Sequence, residues 1–296
     1  MKKALKKCFA LIFAFSFVFL IFAMPASAAN YTKKELTLNK VNDKNLYSYT
    51  AQDIIYNGQK LSEQARIIGS VTYLPIRSFT NALVKGAVVN YDAKSRTITV
   101  TAKGLTLTAT DGAYVVYANE RPLFTTSPVT ILSNGRMYIP AESVIKAFGL
   151  TLKKEWNGVR IFGEFAPLIH ADKFYRADEI LWLSRIISAE SRGESLLGQI
   201  AVGNVVLNRV ASRDFTITIY GVIFDRKYGV QFTPVANGTI YNTPGYTETL
   251  AAKICLEGAT LSGEILFFMA PQKSTSFWIA NTRTYAFSVG GHDFFK

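Results

Sequence analysis

Histidine and cysteine are almost missing from this chain of 296 residues, which has two of each. His170 and His292 stand far apart, and no His-Glu-x-x-His stretch or Cys/His cluster surrounds either. A protein-built zinc site would have to rest on carboxylates, which counts against zinc amidases and zinc peptidases. No metal and no cofactor is expected. Cys8 falls in the leader described below, so Cys255 is the one cysteine left after it, and an intramolecular disulfide is excluded. Cys255 belongs to the apolar helical pattern Thr249-Leu-Ala-Ala-Lys-Ile-Cys-Leu, where a cysteine acts as a small hydrophobe and not as a catalytic thiol. Acids are scarce as well: 21 Asp and Glu face 33 Lys and Arg, a formal charge of +12. The leader holds four lysines and no acid, and removing them leaves +8. A basic chain of this kind suits a polyanionic surface such as a cell wall. Its basic residues are scattered instead of gathered into one arm, so nucleic acid is not an expected partner.

Long apolar runs are equally rare, because only 9–24 qualifies. Lys2, Lys3, Lys6 and Lys7 precede it, and Pro25-Ala26-Ser27-Ala28 supplies a small-residue cleavage pattern after it. Residues 1–28 therefore read as an export signal, with Ala29 as the mature start and a secreted destination. Left uncleaved, the run is only slightly short of a spanning helix, and membrane contact is expected in that case alone.

The rest divides into two modules. Residues 29–53 are polar and read as a short linker or a weak first strand. Residues 54–165 are β-rich and repeat: Val71-Thr-Tyr-Leu-Pro-Ile-Arg-Ser-Phe returns as Arg136-Met-Tyr-Ile-Pro-Ala-Glu-Ser-Val, and Val89-Asn-Tyr-Asp returns as Lys154-Glu-Trp-Asn. Each unit reads as a strand, a proline at a helix start, a short helix (78–83; 143–148) and a hairpin. Patterning lapses over 166–177, a second linker. Residues 178–296 turn helical. The expected fold is thus two-domain, an N-terminal α+β module of two β-rich repeats followed by a mainly α domain.

The N-terminal half resembles the copper amine oxidase N-terminal domain-like family, a stalk module of exported proteins. The resemblance rests on the Tyr-Leu/Ile-Pro signature and the paired hairpins. Residues 54–165 hold no histidine and no cysteine, so the ligands expected of a copper site are missing. A spacer or wall-binding module and a plain structural appendage are equally compatible with this half, and accessory wall proteins are possible partners for it.

In the C-terminal half, Asp178-Glu-Ile-Leu-Trp-Leu-Ser-Arg-Ile-Ile has helical period, and Ile180, Leu183 and Ile187 share one stripe. The next position on the stripe is Glu190. Gly193 is the stop signal, which places Glu190 in the last turn. Partial burial and the negative end of the helix dipole both raise a carboxyl pKa there. A carboxylic acid held neutral near pH 7 is what a general acid for glycosidic cleavage needs. The plain alternative is that Glu190 pairs with Arg185 or Arg192 at the helix rim. Further helices are expected over 195–210, capped by Ser195, over 217–224 and over 246–256. Residues 228–241, punctuated by Gly, Pro and Asn, read as a loop or small β-ribbon lining a cleft.

Ala189-Glu-Ser-Arg-Gly-Glu194, Ala201-Val-Gly-Asn-Val-Val-Leu-Asn-Arg209, Gly229-Val-Gln-Phe-Thr-Pro, Met269-Ala-Pro and Gly291-His-Asp-Phe together are similar to the SleB-type cell-wall hydrolases, which include spore cortex-lytic enzymes. The resemblance implies a lysozyme-like domain acting on the glycan strands of peptidoglycan as a lytic transglycosylase, with Glu190 as the catalytic glutamate. Glu194 is a candidate second carboxylate or a structural group capping the next helix. Gln231 and Thr233 suit sugar N-acetyl and hydroxyl contacts. Asn237, in the turn pair Asn237-Gly238, is a further candidate contact. Tyr241, Trp278 and Tyr285 are candidate platforms for pyranose faces, and His292 is a candidate cleft residue. Arg192 and Arg209 either meet acidic wall groups or pair with nearby glutamates. The well-known spore enzymes carry a peptidoglycan-binding repeat domain upstream, which is replaced here by the stalk-like half. Spore cortex and vegetative wall both remain open as substrates. A muramidase, an amidase and a non-catalytic wall-binding protein are the alternatives.

Overall fold

The computed structural model describes residues 31–38, 49–155, 158–227 and 229–296. The expected export signal, residues 39–48 of the expected linker, and Trp156 and Asn157 of the second repeat lie outside them. Among the described residues, no helix is long and apolar enough to cross a membrane.

Strands β1 (Thr50–Tyr56), β2 (Gln59–Ile68) and β3 (Val71–Pro75) form an antiparallel run, and β3 leads directly into helix α1 (Ile76–Leu83) through Pro75. A five-stranded meander follows: β4 (Val88–Asp92), β5 (Thr97–Ala102), β6 (Leu105–Thr110), β7 (Val115–Ala118) and β8 (Arg121–Phe124). Next come β9 (Thr130–Ile131), β10 (Met137–Pro140), helix α2 (Ala141–Phe148) and the hairpin β11 (Thr151–Glu155) and β12 (Gly158–Phe162). The seven-stranded sheet has the order β11-β12-β1-β2-β3-β10-β9.

The strand-proline-helix signature occurs in both expected places. β3 and β10 lie side by side, with Leu74 opposite Ile139, and Phe79 of α1 packs on Phe148 of α2 with ring centroids 5.8 Å apart. The hairpins part company. β4 and β5 open the five-stranded sheet, whereas β12 joins the other sheet by pairing parallel with β1.

The C-terminal module holds α3 (Ala171–Phe174), α4 (Ala177–Ser191), α5 (Leu196–Ala211), α6 (Ile219–Phe224), α7 (Thr233–Asn237), a 3-10 turn (Thr239–Tyr241), α8 (Tyr246–Leu256), β13 (Phe267–Met269), α9 (Trp278–Thr282), β14 (Tyr285–Val289) and β15 (His292–Phe295). Helices α4, α5 and α8 pack around a core that includes Leu183, Ile187, Ile200 and Ile254. Their approach depends on Gly203, where a Cβ would stand 2.6 Å from Cys255 Sγ and 3.0 Å from Ile187 Cδ1. Gly203→Ala is therefore expected to overpack the core and cost about 1–3 kcal/mol, read as a lowered thermal midpoint. An unchanged midpoint would remove this account of the glycine.

Three sequence expectations are narrowed or corrected. Of the loop and β-ribbon readings of 228–241, the ribbon does not form among the described residues 229–241: Pro234 sits in the first turn of α7, where its missing N–H costs nothing, and a helical turn follows the loop. The 166–177 linker is packed, because Ala171 N–H bonds Asn119 O at 3.0 Å and Tyr175 OH bonds Glu257 at 2.6 Å. Of the two readings of 29–53, the weak strand is the one that forms, as a strap over 31–36, while the rest of its described part acts as a connection. Leu36 N–H donates to Ser288 O at 2.8 Å, Ser288 N–H donates to Lys34 O at 2.9 Å, and Tyr31 stacks on Tyr285 with centroids 4.2 Å apart. The strap thereby covers the exposed edge of β14, which a polar sequence alone does not announce. The same linker also ends early, since β1 already begins at Thr50.

The two modules meet at Glu257, just past α8. Its carboxylate accepts from Arg121 Nε at 2.7 Å and Nη2 at 2.9 Å, and Lys146 Nζ lies at 2.9 Å. Both Arg121 and Glu257 are buried. Burial pushes the Glu257 carboxyl up, but the hydrogen bonds from Arg121, Tyr175 and Lys146 outweigh it and hold the group below the usual range.

Candidate active site

Helix α4 opens with Asp178 and Glu179, which favour its positive end, and closes at Arg192 before Gly193 turns the chain at φ +90°. Leu183 and Ile187 are fully buried, and Glu190, next on their stripe, is half-buried. The rim pairing does not form. Arg192 donates to Ser188 Oγ at 3.0 Å and to Thr243 O at 2.9 Å, and Arg185 lies over Trp182. Among the described residues no cation lies within 4 Å of Glu190, and burial raises its pKa to about 7 against an opposing pull from Arg209.

Arg209 stands in the last turn of α5 and is 5 % exposed. Its Nε donates to Leu266 O at 2.8 Å, and the rings of Phe215, Phe232 and Phe267 lie 5.0, 5.1 and 5.5 Å from its Cζ. Phe267 in turn meets Trp278 edge to face, with centroids 6.3 Å apart, and Arg283 lies over both rings. Trp278 is 53 % exposed, so its free face is open to a sugar ring. Gln231 and Thr233 flank Phe232 at the start of α7, Gln231 half-buried and Thr233 exposed. Arg209 and its aromatic neighbours thus link Glu190 to Trp278 and to the Gln231–Thr233 stretch.

The other expected residues are distributed differently. Asn237 Oδ1 accepts from Thr239 N–H at 3.0 Å and holds the turn at Gly238, its structural role. Tyr241 is 59 % exposed and joins Trp182 and Phe224 in a surface aromatic group beside α4. Tyr285 is not a free platform. One face is covered by Tyr31, and its hydroxyl accepts from Lys34 N–H and bonds Ser288 Oγ, both at 2.8 Å. His292 is buried and packed against Phe268, and burial lowers its pKa. Glu194 accepts from Gly291 N–H at 3.3 Å, with His292 Nδ1 at 3.6 Å from its other oxygen. A Cβ at Gly290 would stand 2.2 Å from that carboxylate, so the Gly290-Gly291 turn is shaped around Glu194. Its carboxylate is committed to that turn and does not cap α5, which Ser195 caps through Gly198 N–H.

Residues 193–295 match the cell wall hydrolase family. The chain carries a cell wall hydrolase domain. Residues 30–161 match the copper amine oxidase N-terminal domain, yet no imidazole or thiol occurs in that span, so its residues do not fit a copper site. The spore cortex-lytic enzyme of Bacillus cereus is 40% identical over 122 residues, covering 41% of this chain and 46% of the relative. That of Bacillus subtilis is 37% identical over 102 residues, covering 34% and 32%. The chain thus spans less than half the length of these curated relatives. A solved structure described as the catalytic domain of a germination-specific lytic transglycosylase, SleB, from Bacillus anthracis is 40% identical, with 41% of this chain and 97% of that one covered and a TM-score of 0.38.

In the hydrolase domain, sequence reasoning gave no part to Phe267 and did not foresee the aromatic setting of Arg209. The available signal was an arginine closing the apolar run 200–210, whose asparagines are both structural. Asn204 Nδ2 donates to Ala259 O at 2.8 Å, and Asn208 Nδ2 donates to Ser262 O and Ile265 O at 2.9 Å. A cleft of about 400 Å³ between the modules, lined by Thr125, Ser127, Lys146 and Glu257, includes none of the expected hydrolase residues.

Proposed function

We propose that the protein is a secreted peptidoglycan lytic transglycosylase whose hydrolase domain, lysozyme-like in plan, cleaves the bond between N-acetylmuramic acid and N-acetylglucosamine. The observation that carries this reading is Glu190, a half-buried carboxyl with a pKa near 7 and no direct ion pair among the described residues. Glu190 protonates the bridging oxygen as the bond from the muramyl C1 breaks and oxocarbenium character develops. Its carboxylate then takes the proton of the muramyl 6-hydroxyl as O6 bonds C1, closing a 1,6-anhydro ring and regenerating the acid. No water and no second carboxylate enters this cycle, which agrees with the commitment of Glu194 to the Gly290-Gly291 turn. Trp278 and Tyr241 offer stacking faces for sugar rings, and Gln231 and Thr233 offer polar contacts to them. The upstream half acts as a spacer or wall-holding module, and the spore envelope and vegetative wall are both accessible to a chain of this composition.

Purified peptidoglycan digested by the full chain is expected to release muropeptides with anhydromuramyl ends, identified by mass. Hydrated reducing ends would instead identify a muramidase, and free stem peptides an amidase. Because the acid must be protonated, kcat/KM is expected to fall as pH rises through about 7. A rate that stays flat from pH 6 to 9, with peptidoglycan binding unchanged, would remove Glu190 as the acid.

A further inference from the structure

We propose that the cleft between the modules is a phosphate-binding site that takes a phosphate ester on a hydroxylated carrier. The site is separate from Glu190 and rests on none of its chemistry. Its volume of about 400 Å³ is that of a small-ligand pocket. Both halves of the chain wall it: β3, the start of α2 and the segment after β8 on one side, residues 257–260 on the other. Pro140, Ala141 and Ser143 bring the N-terminus of α2 to the cleft, and no side chain caps its first turn. The first N–H groups of a helix have no partner within it and carry its positive end.

Two hydroxyls mark the place as a built site. Thr72 and Ser143 line the cleft, each is only 4 % exposed, and neither hydroxyl has a hydrogen-bond partner among the described residues. They lie together, because Tyr73 stands opposite Pro140 in the pairing of β3 with β10. The repeat supplies a contrast. Ser78, at the matching place on α1, returns its hydroxyl to Pro75 O at 3.3 Å, whereas Ser143 makes no such bond. Polar groups this withdrawn from water are normally paired, and here only a cleft occupant can pair them.

The charges favour phosphate over carboxylate. A planar carboxylate suits the arginine fork, and Arg121, behind Glu257, is committed to that side chain. The cations lining the cleft are Lys146 and Lys154, point charges that suit a tetrahedral phosphate. Of the two acids at the cleft, Glu257 is already covered by Arg121, Tyr175 and Lys146. Glu142 is 84 % exposed and stands 3.6 Å from Lys154 Nζ, a surface pair weak enough to open for a ligand. Ser70, Thr126 and Thr260 are exposed around the rim, where the hydroxyls of a carrier would meet them. Because both modules contribute, an occupied cleft ties one to the other.

The full chain is to be titrated calorimetrically with inorganic phosphate, glycerol phosphate and glycerophosphoglycerol, with acetate and glycerol for comparison. One phosphate compound is expected to bind per chain and to raise the thermal midpoint, with acetate and glycerol at least about tenfold weaker. Tighter binding of the two glycerol esters assigns the site to a polyol-phosphate polymer, and equal binding of all three assigns it to free phosphate. Ser143→Ala and Thr72→Val each remove one hydroxyl and are expected to weaken binding about tenfold. Lys154→Met is expected to weaken it about threefold and to flatten its dependence on salt. All three variants should cleave phosphate-free peptidoglycan as wild type does, so the result is independent of the role of Glu190. Acetate binding as tight as phosphate, or no phosphate binding at about 10 mM, overturns the proposal. Full phosphate affinity in a folded Ser143→Ala chain also overturns it. Should that chain not fold, Lys154→Met, altered at an exposed side chain, decides in the same way.

Discussion

Glu190→Gln is expected to fold, to bind peptidoglycan as wild type does, and to cleave it about 10²–10⁴-fold more slowly, the usual weight of a positioned general acid and base. Stability supplies a second readout with an opposite sign. The folded carboxyl titrates near 7, and an unfolded glutamate titrates near 4.3. The folded chain therefore keeps a proton that the unfolded chain releases. This contribution to stability is complete below about pH 4, declines as pH rises, and is lost once pH passes about 7. Glutamine carries no such charge. The variant should match wild type in thermal midpoint at pH 4 and exceed it at pH 8. A midpoint difference that is the same at both pH values would mean that Glu190 is not held neutral by its surroundings.

Glu257→Ala is the largest structural effect expected. It leaves the Arg121 guanidinium, 4 % exposed, without its bidentate partner, and deprives Tyr175 and Lys146 of theirs. Removing one member of a buried pair costs about 3–5 kcal/mol. The loss falls between the modules and not within either core, so the thermal transition should split in two and the segment around 163–176 should become sensitive to proteases. A single transition at the wild-type midpoint would show that other contacts dock the modules. Acid should mimic the substitution. The Glu257 carboxyl is held below its ordinary value in the folded chain, so its contribution is present above the unfolded carboxyl pKa and lost as pH falls through the folded one.

Glu190 was legible in the sequence because its oddity is local: a charge on the stripe of Leu183 and Ile187, one turn before a glycine stop. Helices α4, α5 and α8 were legible for the same reason, being set by short-range periodicity. What local pattern cannot carry is the identity of a distant partner. Tyr285 and Trp278 are alike as aromatic residues in a polar tail. The difference between them is Tyr31, which reaches Tyr285 from the other end of the described chain and leaves Trp278 open. His292 and Glu194 were likewise separable only once the Gly290-Gly291 turn had folded over both. The repeat had a similar limit. Its strand-proline-helix part is local and recurs, but which sheet each hairpin joins is decided by β1 pairing with β12 across the whole module.

The strap of residues 31–36 alters the topology of the protein. The β14 edge of the hydrolase sheet is completed by residues 34–36, chain that precedes the entire β-rich module, so in sequence that module lies between two parts of one sheet. The β-rich module is also docked on the hydrolase domain at Glu257, through Arg121 and Lys146. A fragment cut at residue 178 would lose both that docking contact and the strand that seals its own sheet.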